Sequence, residues 1–424
     1  MKLSFHIVHI NKFFFPTYLD LTFFLIFLSL IIFGCSSTKR FSIKENSGFD
    51  YNNSIRVLIT EASDELAIKV DSKLYLSDES GMIAEIKSGN TLKFVIKSKS
   101  LILTISDKEF QSDSFFLNAT AEGKSIDING KKYRGGIKIF INSYQIKSIN
   151  QISLEDYVKG VMTKEMPLGN GNENYAALKA FSICARTYAY NKTKENKDFF
   201  DIYPDTRDQV YGGIDGETDL TNKIVDETKG QLLFYNGEPA VMFYHSTCGG
   251  FTEDAKNVFT KEGLPYLKSV KDGKEPYCKI SPRFEWVENY TEEIFIDRLY
   301  SAKLIDNKAY KLSNVKVKSR FESGRVNELE ITLRKNNGEE ISVVLIGNRM
   351  RNVIKSGDGN SILKSNFFDI EVDEYKNLII NGKGSGHGVG LCQWGAIGQS
   401  KIGVNYKEIL SHYFPGTMVK NIYD

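Results

Sequence analysis

Ser153-Leu154-Glu155-Asp156-Tyr157-Val158-Lys159-Gly160-Val161-Met162-Thr163-Lys164-Glu165-Met166-Pro167 is where the pattern of the chain changes from strand-like to helical. Ser153 followed by Asp156 predicts an N-cap with a carboxylate reaching back. Leu154, Val158, Val161 and Glu165 then fall at i, i+4, i+7 and i+11, one face of a helix. Pro167 ends that helix at about Met166, because the residue before a proline avoids the helical region. Glu165 breaks the pattern around it. It occupies the apolar stripe, where a carboxylate is desolvated, and the last turn, where the negative end of the helix dipole also disfavours its charge. Both effects raise its pKa. A carboxylic acid still protonated near neutrality is what cleavage of a glycosidic bond requires, because the leaving oxygen must receive a proton. The competing reading is a Glu at the stripe's edge that reaches solvent or pairs with a lysine.

Upstream of Ser153 the apolar residues alternate. Ile55-Arg56-Val57-Leu58-Ile59 and Lys93-Phe94-Val95-Ile96-Lys97 have period two, and Asn129-Gly130 between Ser125-Ile126-Asp127-Ile128 and Lys131-Lys132-Tyr133 reads as a hairpin turn. Downstream, Ala177, Phe181, Cys184 and Tyr188 make a second helical stripe between about Glu173 and Tyr190. Strands return from Gln231, and a β-rich charged stretch spans Val315 to Leu345 with Asn336-Asn337-Gly338 as its turn. Asn405 with Glu408 opens a last helix that buries Tyr406, Ile409, Leu410 and Tyr413. The expected fold class is α+β. The expected organisation is a β-rich N-terminal domain over 51–145 and a mixed α+β domain over 146–424, with a β-rich insertion at about 285–375.

The N-terminus reads differently. Leu21 to Phe33 is an almost wholly apolar run of signal-peptide length, preceded by Lys2 and Lys12. It ends Ile32-Phe33-Gly34-Cys35, which resembles a bacterial lipobox. Phe33 is bulkier than that pattern usually carries, and Asp20 intrudes before the apolar core. Residues 1–35 are expected to be a lipoprotein signal peptide with Cys35 lipidated, or else a plain anchor with an incidental cysteine. Residues 36–50 are expected to be a polar tether, and the remainder to sit in the extracytoplasmic cell envelope, anchored to a membrane. The 424 residues carry 55 basic and 53 acidic side chains, net +2. No large single-sign field exists to hold nucleic acid.

Several blocks together resemble the core signature of the SpoIID/LytB family. They are Leu154 to Val161, Glu165-Met166-Pro167, Ala177-Leu178-Lys179-Ala180, Ala185-Arg186-Thr187-Tyr188-Ala189, Asp205-Thr206 with Asp208 to Gly213, His245-Ser246-Thr247-Cys248-Gly249-Gly250 with Thr252-Glu253, and Gly386-His387-Gly388-Val389-Gly390 with Gln393-Trp394-Gly395-Ala396. Their order runs from about Tyr133 to Thr417. The resemblance implies a lytic transglycosylase that acts on peptide-free glycan strands of peptidoglycan. Glu165 would be the catalytic acid/base and the muramic acid's own primary hydroxyl the attacking group, so one carboxylate suffices. Arg186, Tyr188, Asp205, His387, Gln393 and Trp394 are the expected substrate-binding residues. It equally allows a non-catalytic reading, a glycan-binding enhancer of a cell-wall amidase. One departure bears on that choice: where the family has Gln-Ala-Val-Ala ahead of its Ala-Arg-Thr, this chain has Phe181-Ser182-Ile183-Cys184.

The glycines at 382, 384, 386, 388 and 390 follow an apolar run but lack the third glycine of a dinucleotide loop in every register, which argues instead for a tight loop that approaches a ligand. His387 within it is either a sugar-binding residue or a structural one. Asp205 and Asp208 are read equally as loop braces or as substrate contacts. His245, Cys248 and Cys278 supply three candidate metal ligands without an evident fourth, so no metal and no cofactor is expected. A disulfide between Cys248 and Cys278 is one reading and two free thiols another. Cys184, on an apolar stripe, reads as core. Cys392 beside His387 gives no reason to expect a cysteine peptidase pair.

Overall fold

The computed structural model of the protein describes residues 53–71, 73–119, 125–128, 130–169, 172–195 and 199–423. The apolar run Leu21 to Phe33 and Cys35 lie outside the described residues. Among those described, no helix is long and apolar enough to cross a membrane.

Period-two alternation upstream of Ser153 becomes two antiparallel sheets. One has six strands in the order Ser54–Ala62, Gln145–Ser153, Gly136–Asn142, Ser114–Ala119, Leu74–Asp78, Gly81–Ile86, and the other four, Glu65–Lys69, Thr91–Lys97, Ser100–Ile105, Lys108–Ser112. In Glu65–Lys69 the pleat buries Leu66 and Ile68 and exposes Glu65, Ala67 and Lys69. Leu66 sits opposite Phe94, and Phe94 packs on Phe115 of the larger sheet with ring centres 5.7 Å apart. The hairpin expected at Asn129-Gly130 pairs Ile128 with Lys131 and leaves a two-residue loop, in which Gly130 has φ +75°. Asn129 itself lies outside the described residues.

The strand Gln145–Ser153 runs directly into helix α1 (Leu154–Glu165). Ser153 is therefore both the last paired strand residue, opposite Ser54, and the N-cap, its hydroxyl accepting from the Asp156 amide at 3.1 Å. The Asp156 carboxylate reaches back to the Ser153 hydroxyl at 2.9 Å. Leu154, Val158 and Val161 are buried as the stripe requires. Met166 is the C-cap, so the helix ends one residue earlier than expected, before Pro167.

Helix α2 (Tyr175–Thr193) starts later than expected because residues Asn172–Asn174 form a 3₁₀ turn. The Asn174 amide turns back to the Pro167 carbonyl at 3.3 Å instead of capping the helix. Ala177, Phe181 and Cys184 are fully buried and Tyr188 half-buried. Helix α3 (Asp219–Glu227) follows, then the strand Gln231–Tyr235, which pairs with Met418–Asn421 near the C-terminus.

Between residues 285 and 383 two three-stranded sheets form, Glu285–Tyr290, Leu378–Lys383, Phe368–Val372 and Lys311–Arg320, Val326–Arg334, Glu340–Ile346. With α4 (Glu292–Ser301) and α5 (Met350–Ile354) they enclose a core of their own, including Phe295, Leu329, Ile331, Leu345, Phe368 and Ile380. The main core is one cluster that draws on Ile55 to Cys278 and again on Val389 to Phe414. The chain then enters the glycine-rich loop and α6 (Gln393–Lys401), and closes with α7 (Tyr406–Tyr413). Asn405 and Glu408 form the expected capping box. Ile409, Leu410 and Tyr413 are buried, and Tyr406 is half-buried. The fold is α+β.

Candidate active site

Glu165 ends α1 with its carboxyl half-buried. Burial raises its pKa above the ordinary carboxylate value, partly opposed by a hydrogen bond from the Val210 amide to Oε1 at 2.6 Å. That amide belongs to the segment Asp208 to Gly213, which a second contact fixes under the helix: the Gly212 amide donates to the Gly160 carbonyl at 2.9 Å. On the other side, Gln393 at the first position of α6 donates through Nε2 to the Glu165 carbonyl at 2.8 Å. Residues 228 positions apart thus meet at the end of one helix.

Two phenols stand in the electrostatic field of this carboxyl, Tyr188 of α2 and Tyr244. Burial raises both well above the ordinary tyrosine value, so both stay neutral. Tyr188 donates to Asp208 Oδ1 at 2.7 Å; Tyr244 accepts from Gln209 Nε2 at 3.1 Å, and Gln209 Oε1 accepts from Tyr157 at 3.1 Å. Phe181, where the family pattern has glutamine, is fully buried and meets the Tyr244 ring edge-on at 5.0 Å. It forms a wall behind that phenol.

The other expected residues are placed unequally. Arg186 is fully buried, with Nε and Nη2 on the Glu155 carboxylate at 3.1 and 2.7 Å and Nη2 also on the Val225 carbonyl at 3.2 Å. Its donors are engaged inside the protein. Asp205 is paired with Arg207 through two bonds of 2.9 and 2.6 Å, and the guanidinium holds its carboxyl below the usual range. Asp208 accepts from Tyr188, from the Tyr203 amide at 2.9 Å, and lies 3.4 Å from Lys192. Both aspartates brace the loop.

His387 is half-buried among rings, edge-on to Phe259 at 4.8 Å and to His245 at 5.6 Å. Burial and the Arg351 and Arg325 guanidiniums push it down to about 3, so it is neutral at physiological pH. Its Nδ1 accepts from the Val389 amide at 3.1 Å, which fixes the tautomer. Trp394 is half-buried against the main core, its amide on the Ser246 carbonyl at 3.0 Å. Around Glu165 the fold thus collects Tyr188 and Gln393 of the expected set, and adds the Val210 amide and Tyr244. Neither addition carried a sequence signal: one is a backbone group, the other an apolar-looking tyrosine ahead of a histidine. Two surface depressions, one along Tyr300 to Asp306 and one lined by Glu155, Asp156, Lys159, Lys229 and Tyr423, are not lined by Glu165.

Comparison with known proteins places these residues in a lineage. Residues 142–235 match the profile described as Stage II sporulation protein, which spans α1, α2 and the Asp208 to Gly213 loop. An uncharacterized protein of Brachyspira hyodysenteriae is 31% identical over 303 residues, covering 68% of this chain and 72% of that one. Stage II sporulation protein D of Bacillus subtilis is 28% identical over 291 residues, 64% of this chain and 76% of its own length. The chain belongs to the SpoIID/LytB family. The amidase enhancer of Bacillus subtilis is 28% identical over 408 residues, 88% of this chain, and this chain spans about half of that relative, 54% of its length. The segment 278–390, holding the second core, matches a separate profile, Domain of unknown function (DUF8618).

Proposed function

We propose that this SpoIID/LytB protein is a peptidoglycan lytic transglycosylase that cleaves peptide-free glycan strands to anhydromuramoyl ends, with Glu165 as its acid/base. The observation that carries the reading is the setting of Glu165: a half-buried carboxyl with raised pKa, one amide donor and neutral phenols beside it. Such a group holds its proton closer to neutrality than a free glutamate and can give it to the departing glucosamine oxygen. The Val210 amide then steadies the carboxylate left behind. That carboxylate takes the proton from the muramic acid's primary hydroxyl as its oxygen closes on the anomeric carbon. No second carboxylate is needed, which fits Asp205 and Asp208 being committed to Arg207, Tyr188 and Lys192.

Glu165→Gln keeps shape and can still accept from Val210 but cannot deliver the proton. Release of anhydromuramoyl products from purified peptide-free glycan, read by mass spectrometry, should fall by about 10²- to 10⁴-fold. Product release near the wild-type rate would refute the mechanism. A second reading, a glycan-binding enhancer of a cell-wall amidase, is favoured by the reach of the amidase-enhancer match, 88% of this chain. It expects Glu165→Gln to stimulate the amidase undiminished. The proposed location is the extracytoplasmic envelope, with Cys35 lipidated. A fatty-acid analogue should label the wild type and not Cys35→Ala; equal labelling of the two would exclude the anchor.

A further inference from the structure

Three cysteines and an aspartate, drawn from segments far apart in the chain, meet in the main core. The Sγ atoms of Cys248, Cys278 and Cys392 and a carboxylate oxygen of Asp272 all lie within 4.8 Å of one another, and all four residues are fully buried. Cys248 Sγ and Cys278 Sγ are 3.4 Å apart, and the cysteines are free. In a tetrahedral zinc site with Zn–S near 2.3 Å, sulfur atoms stand about 3.8 Å apart. The four groups therefore need shifts of no more than about 1 Å to close on one ion. A disulfide uses two sulfurs; here a third sulfur and a carboxylate converge on the same point.

The surroundings are those of thiolate ligands. Cys392 Sγ accepts from the Cys248 amide at 3.2 Å and the Gly395 amide at 3.3 Å, and it caps the N-terminus of α6, where the helix dipole favours negative charge. Cys248 Sγ accepts from the Gly250 amide at 3.4 Å. Asp272 is held by the Tyr413 hydroxyl at 2.5 Å on one oxygen and the Cys278 amide at 2.8 Å on the other, an outer layer of the kind that orients metal ligands. The buried Arg325 guanidinium, on the Cys248 carbonyl at 2.6 Å, adds a compensating positive charge. Four acidic groups this close repel if all are ionised, and a dication would offset that charge. Thiolates select a soft one. His245, grouped with Cys248 in the sequence, stands outside the cluster with Nδ1 on the Val389 carbonyl at 3.1 Å.

We propose that Cys248, Asp272, Cys278 and Cys392 form a closed, structural zinc site. Binding displaces the thiol protons to solvent and ties three segments together: the loop at 248, the loop 272–278 and the start of α6. Gln393, the next residue after Cys392, is the one that reaches the Glu165 carbonyl. The site thus anchors the wall of the proposed active site without touching substrate.

The test uses the full chain, produced with zinc in the medium and purified under reducing conditions. Elemental analysis should find about one zinc per chain, and cobalt(II) in its place should give the intense visible bands of a tetrahedral, thiolate-rich centre. Asp272→Asn keeps volume and should release zinc to a chromogenic chelator about 10- to 100-fold faster, by the measure of perturbed zinc ligation. Cys392→Ser should lose the cobalt–thiolate absorption, whereas Cys184→Ser, whose thiol is buried elsewhere on α2, should keep both metal and spectrum. A wild-type chain that is folded by circular dichroism yet retains no zinc and develops no cobalt–thiolate band would overturn the site. So would an intact mass showing a bond between Cys248 and Cys278 after purification without reductant in the presence of zinc. Neither result bears on whether Glu165 cuts glycan.

Discussion

Glu165 is a carboxyl at odds with the apolar helix face it occupies. Its folded pKa is raised by burial, so the protonated form is the one the fold tolerates, and the contribution to stability is present below the unfolded value and lost as pH rises through the folded one. Replacing it by Gln removes that loss. Thermal unfolding of Glu165→Gln should therefore occur above the wild type at pH 7 and converge on it near pH 4; a wild type more stable than the variant at pH 7 would contradict the raised pKa. Arg186 is the opposite case. Its charge is fully buried against Glu155, whose Oε1 also accepts from the Gly230 amide at 3.0 Å. Removing one partner leaves the other charge unpaired, so Arg186→Met should lower unfolding free energy by about 3–5 kcal/mol in denaturant titration. A change of under about 1 kcal/mol would mean Glu155 finds solvent. Arg186 stood in the sequence as a substrate contact because position in a motif cannot distinguish a residue that touches ligand from one that braces the helix carrying it.

Elements meet at the candidate active site through backbone approach as much as through side chains. Gly160 faces the loop beneath α1: a Cβ there would come 2.4 Å from the Tyr211 ring and 2.9 Å from the Gly213 carbonyl. Tyr211 cannot swing aside, since it stacks on Tyr157 at 5.1 Å and its hydroxyl donates to Asn150 at 2.9 Å. Gly160→Ala should thus push the loop off the helix, destabilise the protein by about 1–3 kcal/mol and slow the proposed cleavage, because the Val210 amide moves with the loop. Unchanged unfolding midpoint and rate would show the loop to be adaptable. The helix itself was legible in the sequence, from the Ser153 cap through the Leu154, Val158, Val161 stripe to the stop before Pro167, because local periodicity and capping encode it. The loop's contact with it was not. Nothing local to Val210 states that its amide will meet a carboxyl 45 residues earlier. The Cys248, Asp272, Cys278, Cys392 cluster was hidden for the same reason: its members are spread over 144 positions, with no short metal-ligand spacing between them.

At the scale of the molecule, the described residues form two large hydrophobic cores, and buried polar contacts pass between the segments that carry them. Arg325, fully buried at the start of the strand Val326–Arg334, reaches from the second core to the carbonyls of Cys248 at 2.6 Å and Phe251 at 2.8 Å. Ser323 beside it donates to the buried carboxylate of Glu253 at 2.5 Å, which also accepts from the Asp254 amide and Asn257 at 2.8 Å each. The glycine-rich loop closes over this joint: a Cβ at Gly388 would lie 2.6 Å from the Arg325 guanidinium carbon, so only a bare backbone fits there. Such a joint makes the unfolding of one core depend on the other. Arg325→Met keeps the length of the side chain, leaves the two carbonyls without their donor and removes a cation that interacts electrostatically with the buried Glu253, at a cost of about 3–5 kcal/mol for an uncompensated buried charge. The wild type should melt in one transition and Arg325→Met in two. Hydrogen exchange should locate the split, with amides around Phe295 to Leu299 and Leu329 to Leu333 losing protection while those of Leu154 to Glu165 keep it. If both sets of amides lose protection together in the variant, the cores are coupled by contacts other than Arg325 and the joint is elsewhere.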